Sequence, residues 1–450
     1  MNTKIPIKQG LLIILSIYCS FVVPISKAQS VWTENECIQY AIEHNFRIRN
    51  KQIDTEIAQS DIITAYGHFF PSINSTGTLG KQIGRSIDPQ TNQYTSESFL
   101  ESKIGLNISF PLFEGFSRIN RLRFYKSNKK INVLLNKTEE NYLAFEVLEA
   151  FYRYCFDKEM YKLVIEQRKL SEYYYELILE YVSLGMRSHS DLQEVKARLQ
   201  SDIYQETVKS NSCHLSLLTL KELMNMKATD TLSVRMTDEK IDITTYPSSL
   251  NELYSVSEST LPEFHIMKLK EKATRESLSI ANGTLYPSIY MELNLNTRYY
   301  DTERNNYKGI IPFREQLNNN LNKYIGIYIS LPLFNGLSHI GTIRKEKLHL
   351  QQVQNENEQQ RLSLYKEMND TYLSFVATLQ EYQLAKEQLH ADSITWKESE
   401  EKWKEGMISI FELLEKRNQY IRSKAEIVRT KLQHNLKQRM IQFYQKGTFL

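Results

Sequence analysis

The sequence predicts a mainly α-helical chain with a small β part, folded as long antiparallel helical hairpins and built twice over. Three observations predict this. First, Gly105-Leu-Asn-Ile-Ser-Phe-Pro-Leu-Phe-Glu-Gly-Phe-Ser117 returns 221 residues later as Gly326-Ile-Tyr-Ile-Ser-Leu-Pro-Leu-Phe-Asn-Gly-Leu-Ser338. Second, neither Gly nor Pro occurs from Phe116 to Leu184 or from Thr342 to Glu405. A helix over either run is about 100 Å long at 1.5 Å per residue, several times the usual length. Third, both runs end in Gly-Met-x-Ser-x-x-Asp/Glu-Leu-x-Glu, at Gly185–Glu194 and Gly406–Glu415. One unit of about 220 residues, used twice, accounts for 450 residues better than unrelated domains do.

Residues 1–28 read as a secretory signal peptide. Lys4 and Lys8 precede an apolar run from Leu11 to Val23, and Ser26-Lys27-Ala28 supplies small residues for cleavage after Ala28. The apolar run is too short to span about 30 Å of hydrocarbon. Cys19 lies inside that run behind a bulky Tyr18, which argues against a lipid anchor.

The first repeat covers residues 29–226. Residues 32–67 read as helix, with Thr33 and Glu36 as a capping box. Phe70-Pro-Ser-Ile73 opens a β-hairpin over 71–111 with a polar tip from Gly80 to Ser98. Its second strand alternates Leu106, Ile108 and Phe110 with Asn107 and Ser109. Pro111 has no N–H and is expected to end the ladder, and Gly115 to turn the chain into the long helix, 116–184. Leu143, Val147, Phe151, Tyr154 and Tyr161 form a coiled-coil-like stripe, widened by Leu148, Ile165 and Ile178. Lys158 interrupts it, but its stem can lie along the stripe. The tip, 185–190, turns at Gly185, and Ser188 caps a returning helix that runs to about Met226. Asp191 stands at the capping-box position.

Residues 227–249 read as an irregular linker. The second repeat, 250–450, restates the first. It has a helix interrupted near Pro262, then a β-hairpin over 287–332 whose tip, Thr302 to Asn320, is charged and Asn-rich. Pro332 and Gly336 repeat the junction, and a long helix follows over 342–405. The tip, 406–409, leads to a helix capped by Ser409, with Glu412 at the capping-box position. Leu364, Met368, Tyr372, Phe375 and Tyr382 repeat the stripe, with Leu384 and Ile394 widening it. Strands of this length, with one apolar face and long polar loops, fit a transmembrane β-barrel. Tyr290, Tyr299, Tyr300, Tyr324 and Tyr328 suit an interfacial girdle. A soluble hairpin packed on helices fits the same periodicity.

Composition excludes several classes of function. Without Lys4, Lys8 and Lys27, basic and acidic residues balance at 53 each, so no basic face is expected for nucleic acid. No phosphate-binding loop, dinucleotide fingerprint, metal-ligand spacing or activated nucleophile occurs, so neither catalysis nor a cofactor is expected. Cys37, Cys155 and Cys213 are too scattered for a disulfide framework and read as small buried hydrophobes. The rival readings are a non-conducting periplasmic coiled-coil scaffold and an enzyme with a concealed site.

Taken in order, these parts resemble the TolC-like outer-membrane efflux proteins. The resemblance spans the chain after the signal peptide. It rests on Trp32-Thr33 with Ala41 to Asn45, the Phe-Pro-Ser-Ile hairpin, Pro-Leu-Phe-x-Gly, the long helix and the Gly-x-x-Ser-x-x-Asp-Leu tip, most of it repeated. It implies a homotrimer with a 12-stranded barrel in the outer membrane and a helical tube in the periplasm. A periplasmic adaptor and an energised inner-membrane transporter are implied as partners, for drug efflux or type I protein secretion. The strand count agrees, because four strands per chain cannot close and membrane barrels begin at about eight.

By the same resemblance the tips, Gly185, Met186, Arg187, Ser188 and Gly406, Met407, Ile408, Ser409, dock the adaptor. The same residues serve as caps. Asp191 and Trp403 stand at latch positions that hold the entrance shut, while Ile408 replaces an Arg of the best-known pattern. Glu412 and Glu415, three residues apart on one helical face, form a pore constriction. Glu412 also fits a purely local cap on Ser409.

Overall fold

The computed structural model describes residues 31–87, 92–236, 249–305 and 309–449. The expected signal peptide and its cleavage site lie outside them, as do linker residues 237–248. In the first repeat β1 (Val31–Trp32), α1 (Glu34–His44) and α2 (Phe46–Gly67) precede β2 (Ser72–Gln82). The short β3 (Ser86–Ile87) and β4 (Tyr94–Thr95) occupy the hairpin tip before β5 (Phe99–Glu114). Next come α3 (Ser117–Ser183), α4 (His189–Leu223) and β6 (Ser233–Val234). The second repeat runs α5 (Leu250–Thr260), α6 (Pro262–Gly283), β7 (Ser288–Tyr300), α7 (Phe313–Asn319), β8 (Asn322–Ser330), α8 (Ser338–Lys404) and α9 (Ile410–Lys446).

The long helices α3 and α8 are 67 residues each. The second starts before the expected Thr342 because Gly341 does not break it: its N–H bonds Leu337 O at 2.9 Å. One glycine costs about 1 kcal/mol in a helix, too little to stop one held by packing along its length. The expected stripe is the core. Leu143, Val147 and Phe151 are fully buried against Cys37, Ile38 and Ala41 of α1 and Leu220 of α4. Met368 and Phe375 repeat this against Leu253, Phe264 and Met267. Lys158 extends its amine to Val234 O at 3.3 Å. Burial pushes the Cys37 and Cys155 thiols up to about 12. Cys213 is only half-buried. Leu384 and Ile394, which widen the second stripe, are exposed in the single chain.

Strands β2, β5, β7 and β8 form one antiparallel sheet in that order. Its rows are sorted by face. Ile73, Ile108, Leu293 and Ile325 are cross-strand neighbours, and so are Asn74, Asn107, Asn294 and Tyr324. Side chains alternate along a strand, so one face is apolar and the other polar. Pro111 does not end its ladder. It pairs with Tyr290, and after a register shift β5 continues to Glu114. The pairing with β2 has already stopped at Ser109–Ser72, so the missing N–H faces no partner strand. Pro332 lies past the end of β8.

At both junctions two successive residues take left-handed φ: Gly115 (57°) with Phe116 (63°), and Gly336 (67°) with Leu337 (69°). Gly115 is also pressed against α6. A Cβ there would lie 2.1 Å from Gly283 O.

Other expectations need correction. The 32–67 helix is two helices, broken at Asn45, whose side chain accepts from Arg47 N at 2.8 Å and donates to Leu223 O at 2.8 Å. The linker is not wholly irregular, because Ser233–Val234 pairs in parallel with Val31–Trp32. Tyr300 is no girdle residue. It is buried edge-on against Phe99, and its backbone is bonded in both directions by Gln316 of α7. That short helix was invisible in an Asn-rich loop.

Candidate functional site

The two hairpin tips are the same turn built twice. After α3, Met186 N bonds Tyr181 O at 2.8 Å and Gly185 N bonds Val182 O at 3.0 Å. After α8, Met407 N bonds Lys402 O at 2.9 Å and Gly406 N bonds Trp403 O at 3.0 Å. This Schellman pairing requires a left-handed residue, supplied by Gly185 (φ 72°) and Gly406 (φ 78°). Met186 and Met407 are exposed at 68% and 69%, while Arg187 and Ile408 are half-buried.

Ser188 caps α4 in a full box: its hydroxyl accepts from Asp191 N, and the Asp191 carboxylate accepts from Ser188 N at 3.2 Å. Ser409 accepts from Glu412 N at 3.1 Å, but the reciprocal bond is absent. The Glu412 carboxylate is therefore not used by the cap. Glu412 and Glu415 are both exposed. Glu415 borders an open polar groove with Asn418, Arg422 and Glu426.

Behind the tips the hairpins share one core. Tyr174, Ile178, Leu192 and Val195 pack with Trp403, Ile410, Leu413 and Leu414. Trp403 meets Tyr174 edge-on at 5.5 Å, and among the described residues its indole N–H has no acceptor. Within the chain Asp191 and Trp403 are not bonded to each other.

Fourteen residues before each tip glycine, an Asp–Ser hydrogen bond ties the hairpin together. Ser171 on α3 donates to Asp202 on α4, and Ser423 on α9 donates to Asp392 on α8. Arg417 of α9 enters the first tie. It donates to Ser171 Oγ at 2.9 Å and to Gln167 O, and lies 3.9 Å from Asp202. Arg417 and Asp202 are each 1% exposed. Burial lowers the Arg417 guanidinium to about 10, with Asp202 opposing the shift.

Two helical hairpins with matching tips, each opened by a 67-residue helix and joined to a two-faced sheet, are one unit made twice. A family model described as outer membrane efflux protein matches the chain twice, at residues 37–226 and 253–444. The chain belongs to the outer membrane efflux protein family.

Solved structures of outer membrane channels share the fold across most of the chain. CusC superposes with a TM-score of 0.80 at 13% identity, covering 92% of each chain. The Campylobacter jejuni CmeC outer membrane channel gives 0.80 at 14% identity, over 92% of this chain and 86% of that one. The Vibrio cholerae outer membrane protein VceC gives 0.76 at 13%, over 93% and 97%. No curated protein matches the sequence.

This efflux-family chain also carries tip residues that the motif did not single out. Leu184 and Phe411 flank the turns and are 64% and 61% exposed. Phe411 was the findable one, an aromatic one residue past a buried Ile410 where period alone turns it outward. No described helix is long and apolar enough to cross a membrane.

Proposed function

We propose that three copies of this chain close into a passive exit duct through the outer membrane and the periplasm. One observation carries the reading: an open four-stranded sheet, apolar on one face and polar on the other, leads directly into two helical hairpins, each opened by a 67-residue helix. The sheet ends in two free edges, β2 and β8. Open edges are not tolerated in lipid, and three chains supply twelve strands. Ile325, Ile327 and Ile329 of β8 are 64–68% exposed on one face, as lipid contact would require.

The chain has no energy-coupling motif, so a separate inner-membrane transporter drives export of small molecules or proteins. A periplasmic adaptor docks on Gly185–Ser188 and Gly406–Ser409, where Met186, Met407, Leu184 and Phe411 present apolar surface to a partner helix. Solved channels of this fold are described as outer membrane channels, which supports the same reading here. The latch is assigned to Asp191 and Trp403, with the unpartnered Trp403 indole N–H as its donor. Glu412 and Glu415 line the constriction.

Detergent extraction from outer membranes followed by planar-bilayer recording tests the duct. Discrete conductance steps are expected. A protein that leaves the membrane with salt washes and carries no current would favour the non-conducting coiled-coil scaffold instead.

A further inference from the structure

The internal repeat displays one junction of the tube and dictates the next. Within the chain α9 packs on α3. The operation that carries the first repeat onto the second carries α3 onto α8 and α9 onto another copy's α4. On the ring reading above, the open side of α8 is therefore met by α4 of a neighbouring chain.

At the junction in view, Arg417 reaches Gln167, Ser171 and Asp202. A shift of 221 residues puts Lys196 at the place of Arg417, Gln388 at Gln167, Asp392 at Ser171 and Ser423 at Asp202. Asp and Ser exchange places, and the tie keeps one carboxylate. Asp392 is 7% exposed and accepts from Gln419 Nε2 at 2.8 Å and from Ser423. Among the described residues no Lys or Arg pairs with it, whereas Asp202 has Arg198 at 3.4 Å as well as Arg417. Lys196 is exposed, and among the described residues no carboxylate pairs with it. A buried carboxylate without a cation is costly, and the repeat supplies the cation at the matching place.

Apolar positions agree. Leu163 of α3 is half-buried beside Tyr420 and Ile421 of α9, but its counterpart Leu384 is 66% exposed. Leu269 and Ala273 of α6 pack with Ile131 of α3. Their counterparts on α2, Ile53 and Ile57, are 45% and 56% exposed. The junction glycines follow suit. Gly115 abuts Gly283, yet a Cβ added at Gly336 or Gly67 would meet nothing within 4 Å.

We propose that Lys196 of the partner subunit inserts between α8 and α9 and pairs with Asp392, and that Gly67 of the partner subunit abuts Gly336. The seam between subunits thus copies the junction within each one. It uses a lysine point charge where the internal junction has an arginine fork.

The full-length protein in mild detergent provides the test, in a Cys213→Ser background. Lys196→Cys with Asp392→Cys, treated with a short bismaleimide, should give covalent dimers and trimers on a denaturing gel. Ile57→Cys with Gln352→Cys, both exposed in the single chain, should do the same and guards against misfolding at Asp392. Lys196→Glu should reduce the fraction of trimer that survives unheated SDS, and adding Asp392→Lys should restore it. Trimers by size that crosslink at neither pair would overturn the seam while leaving the duct intact. A chain that is monomeric before crosslinking would remove the ring itself, and the seam with it.

Discussion

Arg417 illustrates the balance at a single residue. It is fully buried, and its guanidinium is held by one carboxylate, one hydroxyl and one carbonyl. A buried pair adds little over a well-packed apolar substitute, but breaking it strands a charge and costs about 3–5 kcal/mol. Arg417→Met leaves Asp202 with Arg198 at 3.4 Å, so the loss should fall near the lower end, about 3 kcal/mol. Replacing Asp202 as well, by Asn, should recover part of it. Urea unfolding followed by helical circular dichroism measures both. Equal midpoints for Arg417→Met and the parent would mean that the buried pair holds nothing.

Among the elements, the tip turn is where helix chemistry and docking coincide. Gly406 needs φ of 78° and has open space around its missing Cβ. A β-branched residue there meets backbone strain of about 1–2 kcal/mol, while its Cβ enters open space. That strain is confined to one turn between helices of 67 and 37 residues, so the hairpin persists. Gly406→Val should therefore leave trimers in the membrane but abolish export and adaptor crosslinking. Gly406→Asn, which tolerates the left-handed region, should retain most of both. Survival of export in the valine variant would assign the turn to capping alone.

For the whole molecule, symmetry decides what Glu412 and Glu415 do. In the proposed duct each becomes a ring of three carboxylates, and acidic rings favour cations. The missing reciprocal cap bond leaves the Glu412 carboxylate available, unlike that of Asp191. Glu412→Gln with Glu415→Gln keeps the shape and removes the charge. Single-channel recordings should show a sharp fall in cation preference and in block by multivalent cations added on the periplasmic side. Should both persist while Asp191→Asn abolishes them, the constriction belongs to the first repeat.

The sequence alone determined the doubled architecture, because its signals are local. Breaker-free runs, stripes of period near 3.5, Gly at C′ and Ser at the N-cap each act within a few turns of their own backbone. The Leu143–Val147–Phe151 stripe, both tip turns and the Thr33–Glu36 box were legible for that reason. Other features waited for the tertiary structure, because their causes lie far along the chain. Pro111 stays in its ladder only because β2 has already ended beside it. Asn45 breaks a helix because Leu223 O, 178 residues away, accepts its amide. Gly115 is needed as much for the carbonyl of Gly283 as for its own φ. The exchange of Asp and Ser between the two ties, and the arginine that enters only one of them, becomes visible only when helices distant in sequence lie side by side. Local periodicity specifies which face of a helix is apolar. Only packing decides which neighbour covers it.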